Sequence, residues 1–182
     1  MDFEYHDTPR QAQFRTKVSA AFIQWKNQPT TDNTEPLEAQ LLALMGTNGW
    51  LVSSASEEAL DSENYAVLLD ELQSLHIGNI VDQTKNQIAS NDAFSEWATA
   101  EQETVYGENL SAGQLKVWKL QIESGIKPDA SVVHITVARD GDDYILNGFG
   151  IFNGIGVWPD LIYALAKTEI NNPLAEVTSA FM

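Results

Sequence analysis

The sequence predicts an α+β protein whose helices precede its strands. Over about residues 9–120, apolar side chains recur every three or four residues, which is the spacing of amphipathic helices. After about residue 120 the apolar period shortens to two, as in Val133, Ile135 and Val137, which is typical of half-buried strands. Because the two patterns occupy separate stretches, alternating βαβ units are not expected. We predict an N-terminal all-α helical domain over 1–120, followed over 121–182 by part of an antiparallel β-barrel or sheet domain.

Three helices are predicted in the first part of the chain. The first spans about 9–26 and begins at Pro9, a residue favoured in the first turn of a helix. The second follows a polar loop and ends before Gly49, because glycine is favoured just beyond a helix C-terminus. The third spans about 62–75 and ends before Gly78. The predicted helical core consists of Phe14, Phe22, Trp25, Leu41, Trp50, Leu68 and Leu72.

The remaining chain is predicted to pass from helix to strand. Residues 80–91 are compatible with a helix, and 94–120 are polar and helix-like, with breaks at two glycines. Beyond them, the turn signals at 139–143 and 147–148 mark tight turns between short strands. Strands are predicted near 131–138, 143–147, 161–166 and 176–181.

The composition excludes several classes of function. Ten Lys and Arg against twenty-six Asp and Glu give a formal charge of −16, which repels nucleic acid and anionic membrane surfaces. No apolar run is long enough to span a membrane, and no export signal is visible at the N-terminus. The three histidines lack the spacing of metal ligands, and the absence of cysteine excludes thiolate sites. We expect a cytoplasmic protein with no metal centre.

One segment resembles a known family. Residues 138–148 read Ala-Arg-Asp-Gly-Asp-Asp-Tyr-Ile-Leu-Asn-Gly, which is similar to the first hairpin in the middle domain of acyl-CoA dehydrogenases. Upstream, 122–129 stands at the distance of that family's flavin-binding stretch and shares its Glu, Gly and Asp, at Glu123, Gly125 and Asp129. Residues 98–102 and 49–51 resemble further family segments, so the similarity extends over nearly the whole chain.

The resemblance implies FAD as cofactor and an acyl-CoA thioester as substrate. The family reaction is an α,β-dehydrogenation, in which a base removes the α-proton while hydride leaves the β-carbon for the flavin. In most members that base lies in a C-terminal helical bundle, so no residue of this sequence is assigned a catalytic role. The resemblance implies cofactor contacts at Gln121, Ile122, Glu123, Phe152, Asn153 and Gly154, and substrate contacts at Pro128 and Asp129.

Several of these positions depart from the family pattern, and at two of them a flavin-binding hydroxyl is lost. Ile122 and Gly154 stand where the family has threonines whose hydroxyls bind the flavin ring, and neither residue offers a side-chain donor or acceptor. The remaining strands and the bundle would follow Met182 in the family, so the chain is expected to be inactive alone and to bind FAD weakly or not at all.

The resemblance leaves three functions open. The chain is expected to act in a homo- or hetero-oligomer with an acyl-CoA dehydrogenase-like subunit. It either contributes to dehydrogenation, or serves as a non-catalytic partner of an active homologue, or forms part of a flavin-dependent monooxygenase of the same fold. Whether the chain by itself is an enzyme is not decided by its residues.

Overall fold

The computed structural model describes residues 6–27, 35–53, 60–121, 135–153, 158–167 and 178–181. Helices come first and strands second, which confirms the predicted α+β organisation. The helices are α1 (Pro9–Lys26), α2 (Leu37–Thr47), α3 (Ser62–Ser74), α4 (Ile80–Trp97), α5 (Ala100–Gln102), a π-helical turn (Glu103–Gly107) and α6 (Glu108–Ser111). The strands are β1 (Val117–Gln121), β2 (Thr136–Asp140), β3 (Asp143–Asn147), β4 (Ile151–Asn153), β5 (Leu161–Lys167) and β6 (Thr178–Phe181).

Local capping explains where two helices begin. At the start of α1, the Thr8 hydroxyl accepts the Gln11 backbone N–H at 3.2 Å, and the Gln11 side chain accepts the Thr8 N–H at 2.8 Å. This reciprocal capping box satisfies two of the amide groups that a helix N-terminus leaves unpaired. At the start of α3, Asp61 accepts the Asn64 N–H at 2.8 Å. The starts predicted for these helices, near 9 and 62, are confirmed.

The helical core is built around a tryptophan in the turn just beyond α2. Trp50 is 0% exposed, and the rings of Phe14 and Phe22 meet it edge-on at centroid distances of 5.8 and 6.3 Å. Such edge-to-face pairs are a favoured aromatic geometry. Of the seven residues predicted for this core, Trp25 is only partly buried and packs at its margin. The other six are buried: Phe14, Phe22, Leu41, Trp50, Leu68 and Leu72.

The prediction that 94–120 is helix-like throughout is wrong at its C-terminal end. Helix α4 extends to Trp97, but the chain becomes a strand already at Val117. The partners of β1 are β4 and β5, which lie far along the chain. Strand formation here depends on those distant partners, and the local composition does not reveal them.

The sheet is mixed, which corrects the expectation of purely antiparallel strands. Its order is β3-β2-β5-β1-β4, and β6 also pairs with β5. Three pairings are antiparallel, namely β1 with β4, β2 with β3, and β5 with β6. The pairings of β5 with β1 and with β2 are parallel. Parallel neighbours need long connections, so a pattern of short strands and tight turns does not predict them.

The predicted hairpin at 138–148 is confirmed. Strands β2 and β3 pair from Thr136↔Asn147 to Asp140↔Asp143, and Gly141 in the turn has φ +64°. That φ lies in the left-handed region, which glycine adopts without the penalty other residues incur. The predicted strand near 131–138 is described only from residue 135, and the one near 176–181 only from 178.

Two contacts join the helices to one another and to the sheet. Gly46 of α2 lies so close to the Ala112 backbone that a Cβ would fall within 2.2 Å of the Ala112 carbonyl. In a second cluster, Phe94 of α4 and Leu110 of α6 are buried against Val117 and Tyr163 of strands β1 and β5. Helix α4 therefore holds the central strands of the sheet in place.

Candidate functional site

Three of the predicted cofactor residues lie on two neighbouring strands. Gln121 ends β1, while Phe152 and Asn153 belong to β4. The antiparallel register pairs Gln121 with Ile151 and Leu120 with Phe152. Two segments that are about thirty residues apart in sequence thus become adjacent strands. Neighbouring strands of a β-sheet lie about 4.7–4.9 Å apart. The other predicted positions, Ile122, Glu123, Gly154, Pro128 and Asp129, lie outside the described residues.

Strand β4 offers backbone groups to a ligand. It is the terminal strand in the order β3-β2-β5-β1-β4, so among the described strands only β1 pairs with it. Backbone N–H and C=O groups of an antiparallel strand alternate between its two edges. The edge of β4 that faces away from β1 therefore carries donors and acceptors not used by the sheet. Such backbone groups can hydrogen-bond a polar ligand, whereas Ile122 and Gly154 carry no side-chain hydrogen-bonding group.

A buried polar network fixes the helix that supports these strands. Asn91 of α4 donates to the Leu51 carbonyl at 2.9 Å and to the Leu110 carbonyl at 3.2 Å. Gln87, one turn earlier, donates to Asn91 at 3.1 Å. Both side chains are buried, and buried polar groups of this kind stabilise only when paired. Sequence reasoning missed this network, although amides at Gln87 and Asn91 on the apolar face of α4 could have indicated it.

A cleft of about 540 Å³ opens beside α3 and α4, away from β4. Its apolar wall includes Leu60 and Ile88, and its polar groups include Tyr65 and Lys85. Burial raises the pKa of the Tyr65 hydroxyl above its ordinary value. No sequence signal pointed to the cleft, because its walls come from separate segments. The lining residues are Ser53, Leu60, Asp61, Ser62, Tyr65, Lys85, Ile88, Ala89 and Asp92.

Comparison with known proteins agrees with the fold. A curated relative, the acyl-CoA dehydrogenase FadE26 of Mycobacterium tuberculosis, is 24% identical over 134 residues, which is 71% of this chain and 33% of the relative. The solved acyl-CoA dehydrogenase of Geobacillus kaustophilus superposes on 93% of this chain and 46% of its own, with a TM-score of 0.57 and 25% identity. The chain has the acyl-CoA dehydrogenase fold.

Two further solved structures share this acyl-CoA dehydrogenase fold. The ChsE4–ChsE5 complex of Mycobacterium tuberculosis has a TM-score of 0.61 at 21% identity, covering 93% of this chain and 44% of the other. PigA with FAD and proline has a TM-score of 0.67 at 14% identity, covering 98% of this chain and 49% of the other. No protein-family model matches the chain. The chain thus spans a third of the curated relative and just under half of the solved chains.

Two features are absent from the described residues, namely a helix that could span a membrane and a cluster of metal ligands. None of the helices in the described segments has both the length and the apolar character of a membrane span. Within the same segments, no three His, Asp or Glu side chains come together as a metal site would require.

An ion cluster joins α1 to α3 on the outside of the helical part. The Arg15 guanidinium donates to Asp7 at 2.6 and 3.0 Å, to Asp70 at 2.6 Å and to Glu71 at 2.8 Å. Ser19 adds a hydrogen bond to Glu71 at 2.6 Å. The hydrogen bond from Arg15 lowers the pKa of Asp7, and the same carboxylates raise the pKa of Arg15. The cluster bridges two helices and reaches neither β4 nor the cleft.

The Arg15 cluster should make the protein less stable in acid. A carboxylate whose pKa is lowered by folding contributes stability above its unfolded pKa, and this contribution is lost as the pH falls through the lower folded value. We therefore expect the stability advantage of the parent chain over Arg15→Gln to be largest near pH 6 and to shrink below about pH 4, the ordinary range of Asp7. Thermal unfolding of both chains at pH 6, 4 and 3 measures the difference.

Lys17→Gln provides the matched control for Arg15→Gln. Lys17 is exposed on the same helix, and its loss changes the net charge by the same amount. General charge effects of acid then appear in both variants, while the loss of the Asp7 pair appears only in Arg15→Gln. A constant difference between the parent and Arg15→Gln from pH 6 to pH 3 would contradict the prediction.

Proposed function

We propose that this chain serves an FAD-dependent α,β-dehydrogenation of acyl-CoA thioesters, within a homo- or hetero-oligomer that contains an acyl-CoA dehydrogenase-like subunit. The supporting observation is the pairing of β1 with β4, which brings Gln121 next to the strand of Phe152 and Asn153. These are positions to which the family resemblance assigns flavin contacts. A cytoplasmic location is part of the same proposal.

The two strands would hold the flavin, which supplies the hydride-accepting chemistry when bound. In the proposal, backbone groups of Gln121 and Asn153 and the ring of Phe152 contact the isoalloxazine, and Pro128 and Asp129 lie on the acyl-CoA side. No residue of this sequence is proposed as the base that removes the α-proton. The resemblance assigns that group to the family's C-terminal helical bundle.

A second candidate function is a non-catalytic subunit that pairs with an active homologue. It is favoured by Ile122 and Gly154, which remove two side-chain hydrogen bonds that the family uses for the flavin. Each lost hydrogen bond weakens binding by about 1 kcal/mol, and a polar atom left unpaired costs about 1–3 kcal/mol. The ChsE4–ChsE5 structure shows that this fold occurs in a complex of two differently named proteins. The described residues give no observation in favour of the monooxygenase alternative.

Restoring the two hydroxyls should strengthen FAD binding. We expect Ile122→Thr combined with Gly154→Thr to bind FAD about ten to a hundred times more tightly than the parent chain, because two hydrogen bonds of about 1 kcal/mol each return. Quenching of flavin fluorescence during titration with purified protein measures both affinities. Ile145→Thr, an equivalent change at an exposed position of β3, is the control and should leave the affinity unaltered.

The same titration separates the two candidate functions. Saturable micromolar binding of FAD by the parent chain would support the dehydrogenase proposal and exclude the hypothesis of a non-catalytic subunit. Binding only after the double substitution supports the non-catalytic subunit. If the parent binds tightly and the double substitution changes nothing, the assignment of Ile122 and Gly154 to the flavin site is wrong.

A further inference from the structure

We propose that the cleft beside α3 and α4 binds a small aliphatic carboxylate, and that Lys85 holds its carboxylate group. The cleft is lined by one apolar wall and a few polar groups, and its volume of about 540 Å³ is within the range of about 300–1,000 Å³ typical of small-molecule sites. This site is separate from the β1–β4 strands, and the proposal does not depend on flavin binding.

The apolar wall suits a short hydrocarbon chain. Leu60 and Ile88 are 3% and 4% exposed, so they form a fixed surface that the helical core supports. Tyr65 adds a half-buried ring beside them. A chain of a few carbons would contact this half-buried ring and the exposed Ala89, which also lines the cleft.

Among the described residues that line the cleft, Lys85 is the one cation. Asp61 is paired with Arg10 at 2.6 Å and caps α3, and Asp92 accepts the Ser53 N–H at 2.9 Å. The ion pair of Lys85 is longer than that of Asp61: its ammonium lies 3.4 Å from the Asp82 carboxylate, on the exposed side of the same helix. It is thus the cation of the cleft that a ligand carboxylate can engage.

The spacing along α4 indicates the size of the ligand. Lys85 and Asp92 are two helical turns apart, a rise of about 10 Å, with Ile88 and Ala89 between them on the lining face. A carboxylate at Lys85 would place its alkyl chain over Ile88 and Ala89 and end it near Asp92. The Tyr65 hydroxyl, which also lines the cleft, can donate a second hydrogen bond to the carboxylate. An extended six-carbon chain is shorter than this distance and leaves room for the contact between the carboxylate and the Lys85 ammonium, so hexanoate is the appropriate probe.

Hexanoate and its neutral isostere hexanamide test the proposal on the intact chain. Backbone amide chemical shifts are followed by NMR during titration with each compound. We expect saturable shifts at Tyr65, Lys85, Ile88 and Ala89, with hexanoate binding at least five times more tightly than hexanamide. Lys85→Met should abolish the hexanoate shifts, because the acidic surroundings then repel the carboxylate, whereas Lys85→Arg should retain them. Lys17→Met, an exposed lysine on α1, should behave like the parent.

Three results would overturn the proposal: equal binding of the acid and the amide, shifts located away from the cleft, or unchanged hexanoate binding in Lys85→Met. Because FAD is absent from this titration, its outcome is independent of the flavin experiment. The carboxylate could belong to a free acid or to the far end of a longer thioester. Repeating the titration with a dicarboxylate monothioester of the same length distinguishes these sources, since a thioester substrate should shift the same four amides and bind more tightly than hexanoate.

Discussion

Replacing Trp50 with alanine should lower the free energy of unfolding by about 3–5 kcal/mol. Trp50 is fully buried, and the edges of Phe14 and Phe22 pack on it, so alanine leaves a large cavity between α1 and the end of α2. The surrounding helices cannot fill this space without giving up their own contacts. Urea unfolding followed by circular dichroism measures the loss as a shift of the transition midpoint.

Trp50→Phe is the matched control for the alanine variant. It keeps an aromatic ring in the same place and removes the indole N–H, which has no hydrogen-bond partner among the described residues. Because an unpaired buried donor is unfavourable, its removal offsets part of the lost contact, and we expect a loss well below that of Trp50→Ala. Equal losses in both variants would show that the aromatic cluster around Trp50 is arranged differently.

Asn91→Leu should lower the free energy of unfolding by about 2–4 kcal/mol, although the two side chains are similar in size. The substitution leaves the Leu51 carbonyl without its side-chain donor and removes one donor from the Leu110 carbonyl. It also takes away the acceptor of Gln87. Because these groups are buried, water does not readily replace the lost partners. The same urea experiment measures the effect.

Asn86→Leu is the control for this prediction. Asn86 is only half-buried on the same helix, so the change tests the general effect of an added apolar side chain on α4. We expect its effect to lie within about 0.5 kcal/mol of the parent chain. If Asn91→Leu were equally mild, the network of α4 with Leu51 and Leu110 would have no energetic importance.

Local patterns in the sequence were sufficient for the first three helices. The first helix begins at Pro9 because Thr8 and Gln11 form a capping box, and both features are visible in the sequence. The core followed from apolar spacing, since Leu41, Leu68 and other core positions recur on one face of each helix. The hairpin of β2 and β3 followed from Asp140-Gly141, whose turn conformation depends on nearby residues only.

The candidate flavin site could be placed only by resemblance. Gln121, Phe152 and Asn153 have no chemistry in the sequence that marks them as flavin contacts; the family motif around them does. That β1 and β4 are neighbours is a property of the sheet. The substrate and cofactor positions at 122–129 and Gly154 remain predictions.

Only the tertiary structure decided the strand at β1, the parallel pairs of β5 and the cleft at Lys85. Each depends on groups that are distant in the chain: β1 needs β4 and β5, and the cleft needs the walls of α3 and α4. Short-range patterns record which face of a segment is apolar, but they do not record which other segment covers it. Pairing between distant strands and the space left between packed helices therefore appear only when the whole chain is folded.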